Sequence, residues 1–166
     1  MSGLPQLRVG QGFDVHRFSE PSEGRKLILM GCEVPHDRGL AGHSDADVML
    51  HALMDALLGA AGLGDIGRHF PDTDPAFKGA DSMKLLEHVM VALRAEGWQV
   101  MSADVCLIGE RPKVAPHRLR MRDLVAPVLG LDPSALNVKA TTTEQLGFTG
   151  RGEGLAAQAV ALIGKP

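Results

Sequence analysis

The sequence predicts a layered domain of the α/β or α+β class, in which strands and helices interleave. Residues 7–18 alternate apolar with other side chains, as a half-buried strand does. Residues 81–96 repeat apolar side chains at helical spacing, and further strand patterns lie on both sides of the predicted helices. With 166 residues, 45% of them hydrophobic, the chain can bury one sizeable core, and we treat residues 1–166 as a single domain.

The opening strand is predicted to present two unlike faces. Its apolar face carries Leu7, Val9, Phe13 and Val15. Side chains at i and i+2 share a face of a strand, so Asp14 and His16 point together to the opposite side. Gly10 and Gly12 leave that second face bare, and we expect another group to approach the backbone closely there.

The remaining elements follow from composition and spacing. Predicted strands cover 26–30, 32–35, 98–108 and 137–141, and predicted helices cover 48–58, 81–96 and 116–129. The stretch 155–163 is ambiguous, because alanine favours a helix whereas its length and Val/Ile ending favour a last strand. A polar loop spans 37–45, and a long irregular segment follows the first helix, with Gly64 to Gly67 and Phe70 to Pro75.

Several details of these elements are specific enough to test. Ser44 is predicted as the N-cap of the first helix, with Asp47 completing a capping box. Pro127 predicts a kink or an early stop in the third helix. In strand 98–108 we expect one mostly apolar face, formed by Gln99, Met101, Ala103, Val105 and Leu107. The inward residues of the later helices are predicted to be Leu85, Leu86, Val89, Met90, Leu93, Met121, Leu124, Val125 and Val128.

Composition and segment patterns exclude several classes of protein. The formal net charge of −3 argues against a large nucleic-acid interface. The N-terminus lacks the pattern of a secretory signal, and no apolar run is long enough to cross a bilayer, so we expect a cytoplasmic protein. Cys32 and Cys106 lack CxxC spacing and are expected to be reduced, buried thiols.

Asp14 and His16 form two thirds of an open metal site, of the kind that catalytic zinc uses. His51 is one candidate for the third ligand, because Asp47 and Asp55 flank it at four-residue spacing on one helix face and either could orient its ring. His43 is a rival ligand, or else a donor to an anion at the helix N-terminus. Manganese or iron could use the same ligands.

Two further segments suit phosphate chemistry, although each alone is a weak signal. Residues 140–144 combine three threonines with Glu144 at a strand end, which suits a hard divalent ion and phosphate oxygens. The turn 109–115 offers backbone groups for a base and Lys113 for a phosphate. The chain has no P-loop, GxSxG or Rossmann fingerprint, which suits a reaction whose nucleophile belongs to the substrate.

The longer motifs resemble one family. They are GFDVHRF (12–18), HSDADVMLHALMDALLGAAGLGDIG (43–67), FPDTDPAFKGADS (70–82), RPK (111–113) and NVKATTTEQLGFTGRGEG (137–154), and together they cover nearly the whole chain. The chain resembles the 2-C-methyl-D-erythritol 2,4-cyclodiphosphate synthases of the non-mevalonate isoprenoid pathway. The resemblance implies an α+β fold, a two-layer sandwich with one four-stranded mixed sheet and helices on one face, assembling as a trimer around the sheets.

The resemblance also implies an activity and its cofactors. The substrate would be 4-diphosphocytidyl-2-C-methyl-D-erythritol 2-phosphate, whose 2-phosphate attacks the β-phosphorus and expels CMP. Asp14, His16 and His51 would hold a zinc-type ion (zinc, or manganese or cobalt), which removes His43 from the ligand set. Glu144 would hold a second ion, magnesium or manganese, and His43 and Thr142 would stabilise the transition state. A metal-dependent phosphohydrolase and a non-catalytic binding trimer are the alternatives.

Substrate-binding residues are implied in the same way. Ser44 would bind the substrate, and the residues bordering the methylerythritol end would be Asp65, Ile66, Gly67, Phe70, Pro71, Asp72, Thr73 and Asp74. The cytidine end would contact Gly109, Glu110, Arg111, Pro112, Lys113, Val114, Ala115, Thr141 and Thr143. Phe148 and Arg151 would lie near the axis of a homotrimer, where family members can hold an isoprenoid phosphate. Ala46 departs from the usual glycine, so we expect it to have a negative φ.

Overall fold

The structure is a computed structural model that describes residues 5–166. In chain order its strands are β1 (Gln6–Arg17), β2 (Leu27–Leu29), β3 (Cys32–Val34), β4 (Gln99–Ile108), β5 (Leu136–Thr141) and β6 (Gly154–Lys165). Its α-helices are α1 (Val48–Ala61), α2 (Ile66–His69), α3 (Ser82–Ala95), α4 (Arg118–Leu129) and α5 (Gly147–Gly150). The ambiguous segment 155–163 is therefore a strand.

A four-stranded mixed sheet forms one layer of the molecule, in the order β1-β6-β4-β5. β6 pairs antiparallel with both β1 and β4, whereas β4 and β5 run parallel. The pair β2–β3 forms a separate hairpin. Helices α1, α3 and α4 supply the second layer, and the buried core lies between the layers. These observations confirm the predicted α+β class and the mixed sheet.

The two glycines of β1 allow α1 to lie directly on the strand. A Cβ atom at Gly10 would stand 2.0 Å from the carbonyl oxygen of Ala56, and one at Gly12 would stand 1.9 Å from that of Ala52. The expected close approach to the bare strand face is thus confirmed, and the group that approaches is helix backbone. Nearly all of α1 is buried in consequence.

The outer face of β1 is uncovered within the chain. Its apolar side chains are 41–67% exposed, and they are Leu7, Val9, Phe13 and Val15. Met101 on β4 and Val160 on β6 are also exposed large hydrophobic residues. The sheet therefore has one face packed against helices and one face open to solvent, which is apolar along β1 and carries Asp104, Asn137 and Lys139 on β4 and β5.

The predicted face of β4 is wrong at its start. The pairing of β4 with β6 shifts register between Val100 and Ser102, as a β-bulge does. The bulge reverses the alternation, so Val100 joins Ala103, Val105 and Leu107 on the buried face, while Gln99 and Met101 are exposed. Cys106 is partly exposed rather than buried, whereas Cys32 is buried, and both are free thiols.

The predicted start of α1 is also wrong. Asp47, not Ser44, is the N-cap, and its side chain accepts a hydrogen bond from the N–H of Leu50. Ser44 instead accepts from the N–H of Ala46. Ala46 has φ of +57°, contrary to the expected negative value, because the chain turns sharply between Ser44 and the cap.

The later helices follow the prediction with two exceptions. All five predicted inward residues of α3 are buried. In α4, Met121 and Val125 are buried but Leu124 is 38% exposed, because it lies on the solvent side of the helix. The helix also continues through Pro127 to Leu129, so the proline causes no early stop. No helix within residues 5–166 is long and apolar enough to cross a membrane.

Candidate metal centre

Three side chains from two elements converge beside the first layer of the fold. Asp14 and His16 project from β1, and His51 projects from α1, which the glycines bring close to that strand. Asp14 Oδ2 lies 2.9 Å from His16 Nε2 and 3.1 Å from His51 Nδ1, and the two ring nitrogens are 3.2 Å apart. Within residues 5–166 this is the only group of three or more residues that could hold a metal ion.

In each histidine ring, the nitrogen that points away from Asp14 has a hydrogen-bond partner, and the chemistry of that partner indicates where the ring proton lies. His16 Nδ1 donates to the carbonyl oxygen of Ala41 at 2.7 Å, because a carbonyl can only accept. His51 Nε2 lies 3.1 Å from Ser82 Oγ and 3.2 Å from Ser44 Oγ. Ser82 Oγ donates its own proton to Asp45 Oδ1, so it accepts from His51. Each neutral ring therefore presents a lone pair to Asp14.

The chemistry of this donor set fits a divalent cation. Two ring lone pairs and a carboxylate repel one another unless a proton or a metal ion lies among them, and three protein ligands with an open side are typical of catalytic zinc. Burial opposes ionisation of Asp14, but hydrogen bonds with His16 and His51 outweigh it and hold the pKa of Asp14 well below its ordinary value. Burial opposes protonation of His16, but the hydrogen bond and the negative charge of Asp14 have a larger combined effect and raise the pKa of His16.

The carboxylates predicted to orient His51 have other partners. Asp47 accepts hydrogen bonds from the N–H groups of Met30, Gly31 and Leu50, so it fixes the β2–β3 turn to the start of α1. Asp55 accepts from the N–H of Ile66. The prediction for Asp47 and Asp55 is therefore wrong, because tertiary partners that spacing does not reveal occupy both groups.

A cavity of about 240 Å³ opens beside the triad. The predicted site residues that line it with the triad are His43, Ser44, Ile66, Gly67, Phe70 and Asp72. His43 lies outside the metal cluster, and its Nε2 donates to the carbonyl oxygen of Asp74 at 3.2 Å. Asp65 caps α2 and the Asp74 carboxylate caps a short 3-10 turn, whereas Pro71 and Thr73 do not line the cavity.

A second cavity, of about 430 Å³, lies where β4 and β5 end side by side. The predicted residues lining it are Gly109, Pro112, Lys113, Val114, Ala115, Thr141 and Thr142. The N–H of Gly109 donates to the carbonyl of Thr141 and so joins the two strand ends. On one chain, the lining of this cavity shares no residue with the lining of the metal cavity.

The remaining predicted residues lie elsewhere on the chain. Glu110, Arg111 and Arg151 line a third cavity. Phe148 is 39% exposed, and Thr143 bonds internally to Leu146 and Thr149. Glu144 is exposed, with φ of +54°, and belongs to no metal-type cluster among residues 5–166.

Sequence reasoning missed four polar residues of these sites. Ser82 and Asp45 reach His51 by a hydrogen-bonded chain, and no local pattern links residues 31 or more positions apart. Arg118 and Lys139 line the second cavity and add positive charge beside Lys113. Their basic character, next to a predicted phosphate-binding turn, was the available signal.

The fold and the cluster together define an α+β domain in which three side chains could hold a metal ion. The model of the YgbB family matches residues 7–164, and the chain belongs to that family. A curated relative from Trichlorobacter lovleyi, named 2-C-methyl-D-erythritol 2,4-cyclodiphosphate synthase, is 59% identical over 157 residues, which cover 95% of this chain and 98% of the relative.

Two solved structures extend the similarity to three dimensions. The bifunctional IspDF of Campylobacter jejuni matches with a TM-score of 0.92 at 44% identity, over 98% of this chain and 43% of that chain. An IspF of Plasmodium falciparum, solved as a CDP complex, matches with a TM-score of 0.82 at 28% identity, over 97% of each chain. The fold class is thus common to this chain and to these synthases.

Proposed function

We propose that this chain converts 4-diphosphocytidyl-2-C-methyl-D-erythritol 2-phosphate to 2-C-methyl-D-erythritol 2,4-cyclodiphosphate and CMP. The Asp14/His16/His51 cluster is the observation that carries the proposal, because its ligand set suits a cation that a phosphoryl transfer needs. Membership of the YgbB family and the names of the curated relatives support the same activity.

The reaction needs no nucleophile from the protein. An oxygen of the substrate's 2-phosphate attacks the β-phosphorus and forms the new P–O–P bond. The bond from the β-phosphorus to the bridging oxygen breaks, and CMP leaves with that oxygen and its electron pair. No water is consumed. The protein then contributes positioning and stabilisation of developing charge, which are the main terms in phosphoryl transfer.

The metal-binding roles divide between two parts of the chain. Asp14, His16 and His51 would hold a zinc-type ion, with zinc, manganese or cobalt as the candidates. A bound ion of this kind polarises a phosphate oxygen as a Lewis acid. Glu144 would hold magnesium or manganese on the diphosphate, as its exposed carboxylate permits.

The other residues would bind the substrate and stabilise charge. His43 and Thr142 would donate to phosphate oxygens in the transition state, and each lines one of the two cavities. The cytidine end would occupy the cavity between β4 and β5, with Lys113 nearby for phosphate. The methylerythritol end would occupy the metal cavity between Ile66 and Phe70.

A homotrimer would unite these separate parts. The metal cavity and the second cavity share no lining residue on one chain, so in this proposal a substrate that uses both occupies cavities of neighbouring protomers. The exposed apolar side chains of β1 form a suitable surface for such an assembly. Phe148 and Arg151 would then lie near the axis, where an isoprenoid phosphate could bind.

The decisive experiment is a product assay on protein loaded with zinc and magnesium. We expect CMP release and a cyclic diphosphate detected by ³¹P NMR, with no ¹⁸O from labelled water in either product. Incorporation of ¹⁸O would instead indicate the metal-dependent phosphohydrolase, since an open zinc site can activate water. Binding of the diphosphocytidyl substrate without release of CMP would indicate a non-catalytic trimer.

Two variants separate the metal assignments. His51→Ala should abolish zinc binding while the fold persists. Glu144→Ala should keep zinc and weaken activation by magnesium, whereas the exposed control Glu87→Ala should change neither property. Loss of zinc from Glu144→Ala would contradict the two-metal assignment.

A further inference from the structure

We infer that Ser82 and Asp45 are positioning residues for His51: the Asp45 carboxylate orients the Ser82 hydroxyl, which in turn holds the His51 ring in the metal-binding tautomer. The inference rests on the proposed metal site and adds a function for two residues outside the ligand set. It concerns a chain of hydrogen bonds that joins the loop before α1, the first residue of α3 and the ring of His51.

The geometry of this chain is closely defined. Ser82 is 0% exposed and His51 is 7% exposed, so water does not compete at the serine. Asp45 accepts two hydrogen bonds from Ser82. Its Oδ2 accepts the Ser82 N–H at 3.0 Å, and its Oδ1 accepts the Ser82 hydroxyl proton. Ser82 Oγ then lies 3.1 Å from His51 Nε2.

The direction of the protons follows from the chemistry of each group. An ionised carboxylate accepts only, so the Ser82 proton goes to Asp45 and the lone pairs of Ser82 Oγ remain for a donor. His51 Nε2 must then carry the ring proton, which leaves the lone pair on Nδ1, the atom 3.1 Å from Asp14 Oδ2. The Asp45 charge thereby determines which nitrogen of His51 can bind a metal.

Helix capping explains the bond from the Ser82 N–H to Asp45 but not the position of the Ser82 hydroxyl. The N-cap of α3 is Asp81, whose side chain accepts from the N–H of Met83. The Ser82 hydroxyl is therefore free of a capping role, and both of its hydrogen bonds serve the Asp45–His51 connection. Ser44 Oγ is also 3.2 Å from His51 Nε2, but Ser44 has no carboxylate partner to orient its proton.

Asp45→Asn is the sharpest test because it retains size and removes the charge. When the amide oxygen accepts the Ser82 N–H, the NH₂ group faces Ser82 Oγ and donates to it, and the hydrogen bond that Asp45 Oδ1 accepts from the N–H of Asp47 is lost. The Ser82 proton then turns toward His51 Nε2, which favours the ring with its proton on Nδ1. We expect ¹⁵N NMR of the metal-free protein to show a larger share of the Nδ1–H form of His51 in Asp45→Asn than in wild type.

Zinc affinity supplies the second measurement. By competition with a chromogenic chelator, Ser82→Ala and Asp45→Asn should each raise the zinc Kd about 10- to 100-fold, the usual cost of losing a partner of a ligating histidine. Asp81→Ala is the matched control, because it removes the helix cap beside Ser82 but leaves the connection intact. Its zinc Kd and His51 tautomer should match those of wild type.

The outcomes distinguish this inference from the proposed function. If wild type itself does not bind zinc, the proposed metal site fails. If wild type binds zinc and both variants bind it equally tightly with an unchanged tautomer, only the positioning inference is overturned. An equal loss of affinity in Asp81→Ala, with no change of tautomer in Asp45→Asn, would also overturn it by indicating a general weakening of α3.

Discussion

The two faces of strand β1 differ in side-chain size and in burial. On the inner face, Gly10 and Gly12 carry no side chains, so the backbone of α1 approaches and His51 arrives opposite His16. On the outer face, large apolar side chains of the same strand remain 41–67% exposed. The inner face thus brings the candidate metal ligands together within one chain, whereas the outer face remains uncovered.

The largest expected effect comes from filling the inner face. In Gly12→Val the new Cβ would lie 1.9 Å from the Ala52 carbonyl oxygen, a backbone atom that moves only with the whole helix. We expect a loss of at least about 3 kcal/mol in the free energy of unfolding, together with loss of zinc binding. Urea denaturation and metal analysis measure both quantities.

Gly59→Ala is the matched control for that substitution. Gly59 lies within α1, and a Cβ there would meet only the Gln11 carbonyl at 4.0 Å. Alanine should therefore stabilise the helix by up to about 1 kcal/mol. If Gly12→Val were as stable as wild type and bound as much zinc, α1 could be displaced at little cost. That result would refute the close-packing argument.

The second prediction concerns the outer face. Phe13 is 54% exposed, and its replacement by lysine places a charge on the apolar surface without disturbing the core. Phe13→Lys should remain folded and bind zinc but sediment as a monomer, and its CMP release should fall to about 1% or less, since desolvating an unpaired charge opposes assembly.

Val91→Lys provides the comparison for Phe13→Lys. Val91 is 64% exposed on α3, on the opposite side of the sheet, and this variant should keep both assembly and activity. A fully active Phe13→Lys trimer would indicate that the protomers meet elsewhere. A fully active monomer would indicate that the two cavities of one chain suffice.

The features that were predictable from the sequence are those that depend on local period. Alternation in β1 and helical spacing in α3 each involve neighbours along the chain, so they predicted the correct faces. The bare glycines of β1 also anticipated the approach of another group. The pairing of Asp14 with His16 could be proposed because both lie on one strand face, whereas the choice of His51 over His43 needed the family resemblance.

The features that were missed depend on contacts distant in sequence. The bulge in β4 results from its pairing with β6, and Ser82 reaches His51 only after α3 packs beside α1. Asp47 has the local pattern of a capping residue but also binds the β2–β3 turn, which no spacing rule anticipates. Such interactions follow from tertiary packing, which overrides the local preference of each segment.

The third prediction tests the buried carboxylate that joins α1 to that turn. Burial raises the pKa of Asp47 to about 6, although three backbone N–H groups donate to it. Because the folded pKa exceeds the unfolded value near 3.8, the folded state binds this proton more tightly. The contribution of Asp47 to the free energy of unfolding is therefore greatest below about pH 4. It falls by at most about 3 kcal/mol as the pH rises toward 6 and beyond.

Asp47→Asn isolates that dependence because it cannot ionise. We expect the unfolding free energy of wild type, relative to this variant, to decrease as the pH is raised from 4 to 7 in urea titrations. The other titratable groups are common to both proteins and cancel in the difference. A relative stability that increases with pH would mean that the three N–H donors outweigh burial and hold the group ionised.

The smallest expected effect is at Ala46, beside the inner face of β1. Its φ of +57° is a left-handed conformation that costs an L-residue about 1–2 kcal/mol and costs glycine almost nothing. Ala46→Gly relieves that strain but loses a buried methyl group worth about 0.8 kcal/mol, so we expect a net stabilisation of about 1 kcal/mol or less. Thermal unfolding of the metal-free protein measures it, with Ala95→Gly at the exposed end of α3 as a control that should destabilise. A clear destabilisation by Ala46→Gly would mean that packing of the methyl group, rather than backbone conformation, dominates at this turn.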